Sequence, residues 1–128
     1  MEDKTLERLV PPLDLCYRLY PQDFSDSIFV WTIGPNGHRI LVQRNYPVLL
    51  FNEQVVLHYE GIAAPTLDEI LAALADCGKK ATAGCITDSQ GRHVFSAGYY
   101  ADTHYRIDRT PAAAALRVWF DVKGRRDA

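Results

Sequence analysis

The segment from Gly98 to Trp119 reads GYYADTHYRIDRTPAAAALRVW, a polar-aromatic run that passes directly into an alanine-rich one. Its second half specifies a helix. Thr110 has the hydroxyl that caps exposed backbone N–H groups, and Pro111 falls at the first helical position, where its missing N–H costs nothing. Ala112, Ala115, Leu116, Trp119 and Phe120 recur at helical spacing and form an apolar stripe, and Gly124 ends the pattern. The alanines let the helix lie close against a sheet. Trp119 and Phe120 supply most of its burial, about 1.5–3 kcal/mol for each fully buried side chain of the Phe class.

The first half carries the candidate site. Tyr99, Tyr100, His104, Tyr105 and Arg106 fall close together, and Arg109 follows. Tyrosine and arginine combine a large contact area with a polar tip and carry much of the energy of protein interfaces. The same residues stack on bases and pair with phosphates. These six residues are therefore the candidate ligand or partner surface. The plain alternative is a tyrosine-rich strand, in which Tyr105 and Ile107 alternate with Arg106 and Asp108.

Moving toward the N-terminus, Thr82–Thr87 and Arg92–Gly98 read as a hairpin around the turn DSQG. Before them, APTLDEILAALADCG is a second helix. Thr66 and Glu69 form a capping box, Leu67, Ile70, Leu71 and Leu74 form the stripe, and Gly78 closes it. Val55–Glu60 and Val48–Phe51 read as extended. Ile28–Ile33 is apolar on both faces, as a central strand covered on two sides requires. Asn36-Gly37 turns it into Arg39–Arg44. A short helix starting at Pro12 is expected to carry Leu13, Cys16, Tyr17 and Tyr20 on one side, with Pro21 ending it. The sum is an α+β fold: a single domain over 1–128, with an antiparallel sheet of about five strands, two main helices packed on it and a short N-terminal helix. Residues 1–8 and 125–128 read as flexible ends.

The composition excludes several function classes. With 14 basic and 16 acidic residues, the formal charge is −2, so the chain as a whole is no electrostatic clamp for nucleic acid. The KGRR cluster, Lys123 to Arg126, reads as a solvated helix end. The three cysteines, Cys16, Cys77 and Cys85, have no disulfide spacing and read as small buried hydrophobes. His38, His58, His93 and His104 are spread one per element without metal-ligand spacing, so no metal site is expected. Cys85 and His93 face each other only across a hairpin, and a structural cysteine is the simpler reading. Nucleophile elbows, phosphate loops and dinucleotide fingerprints are missing from the sequence, and no cofactor or catalytic residue is assigned. The opening MEDKTLERLV has no apolar signal core, and no run approaches the ~20 residues of a membrane span. A cytoplasmic protein of a bacterial host cell, away from membranes, is expected.

The order of motifs carries a resemblance. PPLDLC is followed by FSDSIFVW, then APTLDEILAAL, and DRTPAAAALRVWF lies near the C-terminus. This order resembles a group of small phage- and prophage-encoded proteins of unknown function. They share a PPLELC-like segment, an F-x-D-S-x-F-x-W strand, an APTL-x-E-I-L helix start and an alanine-rich C-terminal helix. The resemblance implies a phage or mobile-element setting and no reaction, and it assigns no residue roles. Three functions stay open: a non-enzymatic module that binds a protein partner or itself as a homodimer, a binder of nucleotide-like ligands in phage counter-defence, and an enzyme whose site only folding assembles.

Overall fold

The computed structural model describes residues 4–34, 37–44, 47–49, 55–57, 61–87, 89–91, 93–99 and 104–125. The fold is α+β. Two four-residue helices, α1 (Lys4–Glu7) and α2 (Leu13–Cys16), lead into strands β1 (Phe29–Ile33), β2 (Arg39–Gln43), β3 (Pro47–Leu49), β4 (Val55–Leu57) and β5 (Ile62–Ala64). Helix α3 (Leu67–Asp76) follows. Strands β6 (Ala81–Thr87), β7 (His93–Tyr99) and β8 (His104–Asp108) then lead to helix α4 (Pro111–Val122).

The strands do not form the single sheet expected from sequence. They make two three-stranded antiparallel sheets, β2-β1-β5 and β6-β7-β8, and the separate pair β3-β4. Strand β1 is central, as expected, with β2 along one edge and β5 along the other. Strand β5 was not anticipated. Its three residues pair with Phe29, Val30 and Trp31, and Gly61 before it runs so close that an added Cβ would lie 2.5 Å from the Trp31 carbonyl oxygen. Burial along Ile28–Ile33 is also narrower than expected: Val30 and Trp31 are enclosed, while Ile33 at the end of β1 and Ile28 just before it are exposed. In α2 the buried residues are Leu15 and Cys16, and Tyr17 and Tyr20 are exposed, because four residues are too few to present a whole stripe.

Both main helices form as their local signals require. In α3 the Thr66 hydroxyl accepts from the Glu69 N–H and the Glu69 carboxylate accepts from the Thr66 N–H, completing the capping box. In α4 the Thr110 hydroxyl accepts from the Ala113 N–H. Both helices end in the same backbone motif. Lys79 N–H donates to Leu74 O and Arg125 N–H to Phe120 O, while Gly78 and Gly124 take positive φ angles of 80° and 72°.

Helix α4 is buried more completely than its stripe suggests. Every side chain from Ala112 to Phe120 except Arg117 is enclosed. It packs against β6, β7 and β8 and against α3, and forms the main core with Ile70, Leu74 and Ala97. A smaller core joins Val10, Cys16, Trp31 and Ala64, and Leu19 packs against both.

Candidate functional site

The β6-β7-β8 sheet has two different faces. Register places Ala83 opposite Ala97 and Ala97 opposite Arg106, so these three side chains share one face. Ala97 is buried there, and this is the face that α4 covers. The other face carries Thr82, Gly84, Ile86, Ser96, Gly98, Tyr105 and Ile107. Tyr105 is 63% exposed, Ile107 44% and Ile86 38%. Among the described residues nothing covers them. Gly98, directly opposite Tyr105, is buried although it stands on this open face.

Strand β8 therefore reverses the usual arrangement, with its charges inward and its apolar groups outward. Arg106 Nη1 donates to both carboxylate oxygens of Asp121 at 3.1 Å. Asp108 accepts from Arg117 Nε and, through its other oxygen, from the Arg109 N–H at 2.7 Å. Among the described residues two ion pairs thus fasten β8 to α4, so Arg106 and Asp108 are paired on the inner face.

The six candidate residues do not assemble as one surface. Tyr105 stands on the open face. Arg106 lies on the opposite face, held by Asp121. Arg109 lines a cleft at the start of α4. Tyr99 and His104 are opposite each other in the β7–β8 register, but their side chains lie outside the described residues, as does all of Tyr100. The period-two geometry of a strand already separates Tyr105 from Arg106. That is the sequence signal which divides this segment.

The cleft has a volume of about 810 Å³. Arg8, Asp14, Trp31, Arg109 and Arg117 are among its lining residues. Its charges are mixed. Trp31 is itself buried, and its Nε1 has no hydrogen-bond partner at normal geometry.

A further cluster was not legible in the sequence. Arg125 pairs with Asp23, and its guanidinium carbon lies 3.8 Å from the centre of the Tyr20 ring and 5.1 Å from that of Trp119. The hydrogen bond to Asp23 raises the Arg125 pKa. Arg18 donates to the Arg125 carbonyl and lies over the Phe120 ring at 4.2 Å. Arg125 is thus no part of a solvated helix end. Its partner lies 102 residues away, beyond the reach of any local pattern.

The cysteines also divide. Cys16 is buried, while Cys77 and Cys85 are exposed, which corrects the reading of all three as buried. Cys77 follows the last turn of α3, and Cys85 lies on β6, where α4 leaves the strand uncovered. The side chains of His58 and His93 lie outside the described residues. Among the described residues no three His, Cys, Asp or Glu side chains gather as metal ligands. No described helix is long and apolar enough to cross a membrane. No protein-family model matches the chain, and no match is found to a curated protein or to a solved structure.

Proposed function

We propose that this chain is a non-enzymatic protein-interaction module of a phage or prophage, acting in the cytoplasm of the bacterial host. The observation that carries the reading is the open face of β6-β7-β8, with Ile86, Tyr105 and Ile107 exposed together while the charges of β8 turn inward. A strand facing solvent ordinarily does the reverse. An apolar surface framed by tyrosine, over small residues that permit close approach, suits a flat protein partner. The order of sequence motifs supports the phage setting.

The test compares the wild-type chain with a Tyr105→Ser, Ile107→Thr double variant, each tagged and recovered from phage-infected host lysate. The wild type is expected to retain a partner in stoichiometric amount, and the folded variant is expected to lose it by at least tenfold. Equal retention by both, or no partner on the wild type, overturns the reading.

The cleft beside Arg109 favours a second reading, a small nucleotide-like ligand. Arg8 and Arg109 are suited to a phosphate and the Trp31 side chain to an apolar or aromatic group. Native mass spectrometry of the chain purified from cells tests it. A mass excess of a few hundred daltons, lost in Arg109→Ala, is the expected result, and a clean chain mass overturns it.

A further inference from the structure

Strand β6 is the outermost strand of its sheet, and among the described residues no strand lies beyond it. Exposed strand edges offer unpaired N–H and C=O groups to any other strand, and proteins usually protect them with charge, proline, brevity or inward-pointing charged groups. The other described edges follow this rule. Strand β8 carries Arg106 and Asp108 pointing inward, β2 begins with Arg39, and β3, β4 and β5 have three residues each. Strand β6 has none of these devices. It has seven residues, ATAGCIT, without charge or proline. Cys85, Ile86 and Thr87 are exposed although successive residues of a strand point to opposite faces, so both faces are open along this part.

The sequence of β6 complements itself in the antiparallel direction. A two-fold axis at Gly84 places Ala83 opposite Cys85, Thr82 opposite Ile86 and Ala81 opposite Thr87. Every pair joins small or β-branched residues. Neither space nor backbone angle calls for a glycine at position 84 within one copy. An added Cβ there would meet nothing within 4 Å, and its φ is not among the positive ones. Glycine inside a strand weakens it and often marks a place where another backbone approaches.

We infer that two copies of this chain pair through β6, antiparallel about Gly84, to form one continuous six-stranded sheet. The pairing is isologous, so it closes at two copies and leaves β8 at each outer edge. The inference stands apart from the partner proposed above. It concerns purified protein alone, and either can fail without the other.

The experiment is light scattering of the purified full chain at increasing concentration, beside the folded Gly84→Lys variant. The open space at Gly84 admits the lysine, while the two-fold axis would set two like charges opposite each other. A dimer for the wild type and at least tenfold weaker association for the variant are expected. A second measurement fixes the register through Gly84→Cys and Thr82→Cys, each in a Cys77→Ser, Cys85→Ser background. Mild oxidation is expected to cross-link Gly84→Cys into a covalent dimer and to leave Thr82→Cys single, since two copies of residue 82 would lie about 13 Å apart along the strands. A wild-type monomer, a dimer that survives Gly84→Lys, or equal cross-linking at both positions overturns the inference.

Discussion

Cys16 lies in the smaller core with Val10, Trp31 and Ala64, and its thiol donates to the Pro11 carbonyl at 3.5 Å. Burial pushes its pKa up to about 12 from 9.0. The Trp31 indole works against that rise, and the Asp14 charge adds to it. The neutral thiol is therefore favoured in the folded state. Its contribution is fully present below the unfolded pKa near 9 and is lost as pH rises toward 12, because the unfolded chain ionises first. At about 1.4 kcal/mol per pH unit, the loss from this group is about 2 kcal/mol by pH 10.5. Urea titrations at pH 8 and pH 10.5 should show this drop in the wild type, and Cys16→Ala should lack it. The same drop in both proteins would assign it to another group. A maleimide is expected to label Cys77 and Cys85 in the folded protein and Cys16 only after denaturation. Sequence alone grouped the three thiols, because an apolar neighbourhood in the chain does not reveal whether a helix covers it.

Helix α3 shows how a local signal becomes a long-range tie. Its capping box is fully legible in Thr66 and Glu69. The second Glu69 oxygen is not: it accepts from the Ile28 N–H at 3.1 Å and joins the start of α3 to the segment entering β1. Thr66→Ala should cost about 1 kcal/mol through loss of the cap. Glu69→Ala should cost more, because it also frees the Ile28 N–H. Urea denaturation of both variants checks the order, and an equal or smaller loss for Glu69→Ala would remove the Ile28 tie from the account. The same contrast separates what was legible in the other elements. Helices α3 and α4, the β1–β2 and β6–β7 hairpins and the alternation of β8 follow from caps, turns and periods within a few residues. Strand β5 was hidden, because Ile62, Ala63 and Ala64 between Gly61 and Pro65 have no alternation and gain their strand character from β1. The inward turn of Arg106 and Asp108 was hidden for a similar reason. Their partners, Asp121 and Arg117, sit on a helix whose rotation is set by its alanines and by Trp119.

The two cores of the molecule each contain one of its two tryptophans, Trp31 in the smaller and Trp119 in the larger. Several contacts among the described residues tie the two halves of the fold together. Leu19 packs against both cores, Glu69 bonds to Ile28, and Arg125 closes the end of α4 onto Asp23 and Tyr20. Neither core is large. Among the described residues the smaller has four buried members, too few to hold β2-β1-β5 by themselves. It must draw on the α4 core through these links, so the two are expected to unfold together. Trp31→Phe and Trp119→Phe leave one fluorescent reporter in each core. After each variant's own change in stability is taken into account, both reporters should follow a single transition with the same midpoint and slope as circular dichroism. Leu19→Ala in each background should then lower the midpoint, and by weakening the shared contact it should let Trp31 respond at a lower denaturant concentration than Trp119. Separate transitions in the protein that keeps Leu19 would mean that the smaller core stands without α4, and that Leu19, Glu69 and Arg125 only rest between two independent units.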